Sequence, residues 1–164
     1  MEIRQEQPDD WWEVEALFDL AFAPGREALS SYRLRDGVDP VADLCRVARD
    51  LDGILAGAIR FWPVRIADHS ALLLGPIAVH PTRQGEGLGA LLIEDALARA
   101  SAWERVLLIG DEPYYGRFGF HRLSGIDMPP PTNAQRILGR ALVTDAWNRV
   151  SGPVSKAATD PERS

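Results

Sequence analysis

The chain has 164 residues, 46% of them hydrophobic and 26% charged. This is an ordinary globular composition of single-domain length, which excludes collagenous, low-complexity and wholly disordered chains. Eighteen Lys and Arg against 24 Asp and Glu leave a net charge of −6 with no basic stripe, so the attraction that drives nucleic-acid binding is missing. No apolar run nears the roughly 20 residues that cross a bilayer, and Met1-Glu2-Ile3-Arg4 carries no basic-then-apolar leader. The expectation is a cytoplasmic protein with no nucleic-acid or membrane partner. The single cysteine, Cys45, excludes an internal disulfide and any multi-cysteine metal site. His69, His80 and His121 form no His-x-x-x-His pair, so no dedicated metal is expected.

In chain order, a short strand is predicted at residues 3–4. Asp10 as N-cap with Glu13 three residues on resembles a capping box, and Val14, Leu17, Phe18 and Ala21 follow at helical spacing. Pro24-Gly25 ends that helix, and a second is predicted over 26–35, up to Asp36-Gly37. Residues 44–50 and 54–64 read as strands joined by the turn Asp52-Gly53. Residues 71–79 are nearly all apolar, as in a strand buried on both faces, with a bulge or splay expected at Gly75-Pro76. A glycine-rich stretch over 80–89 opens a helix to about residue 102, with Leu88, Leu91, Leu92, Ala96 and Ala100 facing inward. A buried strand at 106–109, a helical turn at 113–118 and strands at 120–123 and 137–143 complete the order, and Pro129-Pro130-Pro131 stiffens the last connection. The domain is expected to span 1–154, with 155–164 a disordered tail. The fold class predicted is α/β, a sheet with helices on both faces.

Leu72 to Gly89 carries the chemistry: a buried strand runs into a glycine-rich loop that opens a helix. Gly85, Gly87 and Gly89 let a ligand approach the backbone, and the free N–H groups at a helix start favour an anion such as phosphate. Arg83 is placed to add one compensating charge. A nucleotide-triphosphate loop needs Lys-Ser/Thr after its last glycine, whereas Gly89 precedes Ala90-Leu91. Gly85-x-Gly87-x-x-Ala90 does fit a permissive dinucleotide fingerprint, with Asp111 ending the next strand. Against it, residues 80–84 intervene between strand and glycines, and too few residues follow Asp111 for the remaining βα units. A nucleotide- or dinucleotide-binding module therefore stands as the alternative.

Gln84-x-x-Gly87-x-Gly89, entered from Leu74-Gly75-Pro76-Ile77-Ala78-Val79-His80-Pro81, resembles motif A of the GCN5-related N-acetyltransferases, the GNAT superfamily. Tyr115-Gly116-Arg117-Phe118-Gly119-Phe120 resembles that family's Tyr-x-x-x-Gly-Phe signature. The segment from Gly110 to Tyr115 and the proline-rich loop look like a bacterial subgroup of predicted acetyltransferases. The resemblance implies a single-domain GNAT fold: a mixed, mostly antiparallel sheet with a splayed central parallel strand pair. It implies acetyl-CoA as acyl donor and a primary amine as acceptor. The pantetheine arm would pair with the backbone of Ile77, Ala78 and Val79. The pyrophosphate would lie on the loop and first helical turn formed by Arg83, Gln84, Gly85, Gly87, Leu88, Gly89 and Ala90. Tyr115 holds the position of the family's proton donor to the departing thiolate. Many members carry an asparagine just before that tyrosine, where this chain has Asp111-Glu112-Pro113. A homodimer is a further expectation, and a non-catalytic acyl-CoA sensor of the same fold is the third reading.

Other residues carry weaker signals. Asp111, Glu112 and His80 are base candidates, but the default reading is solvated acids at a helix start for the first two and a surface turn residue for His80. Arg26, Tyr32, Arg33 and Trp62 are candidates for an acceptor wall, and Cys45 reads as a small core residue.

Overall fold

The computed structural model describes residues 1–22 and 30–157. Its strands are β1 (Glu2–Gln5), β2 (Arg46–Arg49), β3 (Leu55–Ile66), β4 (His69–Val79), β5 (Arg105–Ile109), β6 (His121–Arg122), β7 (Ile126–Asp127), β8 (Ile137–Ala141) and β9 (Gly152–Lys156). Its helices are α1 (Trp11–Phe22), α2 (Ser30–Arg33), α3 (Leu88–Leu97) and α4 (Glu112–Tyr115). The strands bond in the order β1-β2-β3-β4-β5-β8-β6, with β9 on β3 and β7 on β9. The sheet is mixed and mostly antiparallel. The β4–β5 ladder is parallel and registers only Leu72 with Val106 and Leu73 with Leu107.

The chain forms two compact units, through both of which β3 and β4 run. One comprises Met1–Arg26, Pro40–Phe61 and Leu74–Ser101; the other comprises Glu27–Asp39, Trp62–Leu73 and Ala102–Ser164.

In the first unit, successive strand residues point to opposite faces, and each face has its helix. Val47 and Ala58 lie with Val14, Leu17 and Phe18 of α1 in one apolar cluster. Their neighbours Arg46 and Gly57 meet α3: Arg46 Nε donates to Asp95 Oδ2 at 2.8 Å. A Cβ at Gly57 would come within 3.0 Å of Leu92 and 3.3 Å of Leu88, so glycine there lets α3 approach closely. Val14, Leu17 and Phe18 are buried as the helical spacing predicts, but the cap differs. A 3-10 turn (Pro8–Asp10) precedes α1. The Asp10 carboxylate reaches back to the Gln7 amide at 2.7 Å and to Arg49 at 2.8 Å, while Glu13 binds Arg49. Arginines from β1 and β2 outcompete the local capping pattern. The helix after the glycines ends at Leu97, short of residue 102, and Leu91 is 49% exposed instead of inward. With Leu88, Leu92, Ile93 and Ala96 buried, the inward stripe of α3 leaves Leu91 outside it.

The second unit is built on Val64, Ile66, Leu73, Leu107, Ile126, Ile137 and Val154, with Trp62 and Leu34 in the same cluster. Here β5 pairs along its whole length with β8, from Arg105 with Ala141 to Ile109 with Ile137. The strands β7 and β9 are additions to the expected order. β9 continues through Ser155 and Lys156, which pair with Arg65 and Val64, so the ordered chain passes the boundary expected at residue 154. Val154 alone of that strand is buried, which is why the segment reads as polar tail. The turn Pro24-Gly25, residues 26–29 of the second expected helix and the tail from 158 onward lie outside the described residues. Among the described residues no helix is long and apolar enough to cross a membrane.

Candidate functional site

In the first unit, β4 ends on Ile77, Ala78 and Val79. Ala78 is buried in the α1 cluster, whereas Ile77 and Val79 are half-buried on the alternate positions. The His80 amide donates to Ala56 O at 2.8 Å, and a 3-10 turn (Pro81–Arg83) follows. The His80 Nδ1 accepts the Thr82 amide at 3.2 Å and lies 2.8 Å from Thr82 Oγ1. Its ring thus caps the turn through Nδ1.

Beyond the turn the chain crosses two left-handed positions, Gly85 at φ +87° and Gly87 at φ +76°. Side chains rarely adopt that conformation. Among the described residues a Cβ at either glycine would meet nothing within 4 Å, so they leave the space over the loop open. Gly87 is the N-cap of α3 and offers no side-chain cap. The Leu91 amide bonds back to Gly87 O at 3.2 Å. The amides of Leu88, Gly89 and Ala90 precede it and have no intrahelical acceptor. Among the described residues these donors stand at the positive end of a helix beside open space, an arrangement able to receive an anion. Such a cradle needs no basic patch, which suits a chain of net charge −6.

Arg83 is occupied otherwise than the sequence suggests. Its Nε donates to Glu86 Oε2 at 3.0 Å, its Nη2 to Glu86 Oε1 at 3.1 Å and its Nη1 to Asp50 Oδ2 at 3.2 Å. Asp50 and Glu86 have no place in the sequence reading. Glu86 was legible as an i,i+3 partner of Arg83; Asp50, 33 residues away, was not.

In the second unit, Asp111 caps α4, and its carbonyl accepts the amides of Tyr114 at 3.1 Å and Tyr115 at 3.0 Å. Pro113 in the first turn fits because that turn has N–H groups to spare. The helix separates the two tyrosines: Tyr114 is 41% exposed and stacks beneath Arg117, while Tyr115 is half-buried, edge-on to Tyr114 and to Phe120. The Tyr115 ring lies directly over Gly110. A Cβ there would collide with ring Cε2 and come within 2.8 Å of Cδ2. Gly110 therefore seats Tyr115, a role its place in the sequence did not disclose. Burial first, then neighbouring Tyr114, pushes the Tyr115 hydroxyl above its ordinary value of 10.0, so it stays protonated at neutral pH.

The acidic candidates have structural partners. Asp111 Oδ1 accepts from Arg136 Nε at 3.2 Å, and Glu112 Oε2 accepts the Arg122 amide at 2.9 Å. Of the acceptor-wall candidates, Arg26 lies outside the described residues. Trp62 is buried and Tyr32 half-buried, and the Arg35 guanidinium carbon lies 3.1 Å from the Tyr32 ring centre and 5.3 Å from that of Trp62. Arg33 is exposed. Among the described residues no cluster of His, Cys, Asp and Glu could hold a metal ion.

Residues 42–122 match the family model described as an acetyltransferase (GNAT) domain. Over 99 residues, 54% of this chain, the sequence is 37% identical to mycothiol acetyltransferase of Nocardia farcinica (strain IFM 10152). That match spans only 32% of the relative's length. The fold superposes on a GNAT family N-acetyltransferase (YhbS) from Escherichia coli, solved with CoA, at a TM-score of 0.81 and 29% identity, covering 95% of this chain and 89% of that one. It also superposes on a GNAT family acetyltransferase from Brucella melitensis, solved with acetyl-CoA, at a TM-score of 0.71 and 31% identity over 96% of both chains.

Proposed function

Because the chain belongs to the GNAT superfamily of acetyltransferases, we propose that it transfers an acetyl group from acetyl-CoA to a primary amine, of a small molecule or a protein N-terminus. The observation that carries this is the open backbone cradle: left-handed Gly85 and Gly87 leading into the uncapped first turn of α3. In this reading the amides of Gln84, Gly85, Gly87, Leu88, Gly89 and Ala90 hold the pyrophosphate. The backbone of Ile77, Ala78 and Val79 pairs with the pantetheine arm. Binding by main-chain donors leaves side chains elsewhere to select the acceptor.

The neutral amine attacks the thioester directly: a C–N bond forms, the C–S bond breaks, the leaving sulfur takes the electron pair, and the proton shed by the nitrogen passes to water. A main-chain N–H near Ile77–Val79 stabilises the developing oxyanion. Tyr115 supplies the donor to the departing thiolate. With its hydroxyl above 10 and a thiol near 8.5, full proton transfer is uphill by about 2 kcal/mol or more. The contribution of Tyr115 is therefore first a hydrogen bond to the charge as it forms.

Thermal unfolding with acetyl-CoA, CoA, NAD and ATP in parallel tests the cradle. A ligand at about 100 times its Kd adds roughly 2.7 kcal/mol, several degrees for a domain of this size. Stabilisation by acetyl-CoA and CoA alone is expected; stabilisation by NAD alone overturns the reading in favour of a dinucleotide module. An amine panel that includes the precursor amines of mycothiol-type thiols then separates an enzyme from an acyl-CoA sensor. Tyr115→Phe is expected to lower kcat about 100-fold with CoA affinity retained; unchanged kcat removes the donor role.

A further inference from the structure

Glu86 is the one residue of the glycine loop that an anion cradle does not need. It stands between the left-handed Gly85 and Gly87, and its carboxylate opposes any phosphate held on the neighbouring amides. Arg83 grips it by both oxygens, through Nε to Oε1 at 3.3 Å and to Oε2 at 3.0 Å, and through Nη2 to Oε1 at 3.1 Å. The remaining Nη1 goes to Asp50 Oδ2 at 3.2 Å. Asp50 is itself fixed, because its other oxygen accepts the amides of Asp52 at 2.9 Å and Ile54 at 3.0 Å in the turn between β2 and β3. The chain of contacts therefore runs from a rigid turn, through one guanidinium, to the middle of the loop.

We propose that Arg83 is a positioning residue: anchored on Asp50, it neutralises Glu86 and holds it aside, so that the loop amides can accept the pyrophosphate of CoA. This rests on the acetyl-CoA reading above and refines the role first expected of Arg83, which was direct charge compensation of the ligand. A guanidinium already forked onto one carboxylate and bonded to a second must break those contacts to reach a phosphate. Both ion pairs are partly exposed and contribute little to global stability. Their effect belongs to the approach of an anion.

A double-mutant cycle on the full chain distinguishes neutralisation from direct contact, with CoA binding read by calorimetry. Arg83→Gln is expected to weaken CoA about tenfold, because Glu86 is left uncompensated. Glu86→Gln is expected to bind as tightly as the wild type or more tightly. The double variant R83Q/E86Q is expected to return to within about threefold of the wild type. Asp50→Asn is expected to weaken CoA in the wild-type background and to have no effect once Glu86 is Gln. A double variant as weak as R83Q alone shows that Arg83 contacts the ligand and overturns the proposal, as does an R83Q protein that binds like the wild type. Failure of the wild type itself to bind CoA overturns the acetyl-CoA reading and this role together, whereas normal wild-type binding with no recovery in the cycle overturns this role alone. Near-UV circular dichroism on each variant confirms that the fold is retained.

Discussion

In the first unit the guanidinium of Arg60, 2% exposed, meets carboxylates: both oxygens of Glu6 at 3.0 Å and Glu15 at 3.3 Å, with the Trp11 ring 3.9 Å away. In the second, Arg105, 5% exposed, meets main-chain carbonyls, Ala146 O at 2.8 Å and Ser70 O at 2.6 Å, with the exposed Glu104 near one nitrogen. A buried cation needs compensation in either case. Acids supply it on one side and peptide dipoles on the other. The proposed anion cradle lies in the first unit, the apolar cluster of Trp62, Leu107 and Ile137 in the other.

The difference can be put under strain experimentally. Arg60→Met leaves Glu6, itself 8% exposed, without its partner, and is expected to cost about 3–5 kcal/mol in urea unfolding, the penalty of an uncompensated buried charge. Neutralising Glu6 as well, in R60M/E6Q, is expected to restore a large part. Arg105→Met removes two hydrogen bonds to main-chain carbonyls, and a smaller loss of about 1–3 kcal/mol is expected. Equal losses at the two sites, or no rescue by E6Q, break the contrast. The smallest effect is on pH dependence. Burial pushes the Asp10 carboxyl up, but the Gln7 amide and the Arg49 and Arg4 guanidiniums outweigh it and hold it below its usual 3.8. A depressed carboxyl contributes stability that is complete above the unfolded value and is lost as pH falls through the folded one. Asp10→Asn is thus expected to flatten the acid limb of the stability curve below about pH 4, and Arg105→Met to leave that limb's shape unchanged.

What could be read from the chain alone was what local pattern encodes. The apolar run of β4, the Asp52-Gly53 turn with Gly53 at φ +79°, and the glycines ahead of α3 are all statements about neighbours in sequence. Tyr115 was singled out by the family resemblance of Tyr115 to Phe120, not by local pattern. The contacts that finish each region were not. Asp50 meets Arg83 across 33 residues, and Gly110 seats Tyr115 by lacking a side chain, which no periodicity announces. The Asp10–Arg49 pair overrode a plausible capping box because a guanidinium from another strand outbids a backbone amide one turn along. Strand β9 was hidden for a simpler reason: a single buried valine between Pro153 and Ser155 gives no alternation to see, and its pairing partner β3 is about 90 residues earlier.

Cys45 offers a use for the first unit's packing. Its thiol is 3% exposed, donates to Val41 O at 3.4 Å, and is pushed by burial up to about 11. The thiol is therefore protonated at neutral pH, and Cys45 is expected to react slowly with alkylating reagents in the native protein. When the surroundings of Cys45 open, the thiol regains an ordinary acidity and full access. The chain thus carries one internal clock: the rate at which a thiol reagent modifies Cys45 measures how often this unit breathes, and the slowing of that rate by a bound ligand reports occupancy without any turnover.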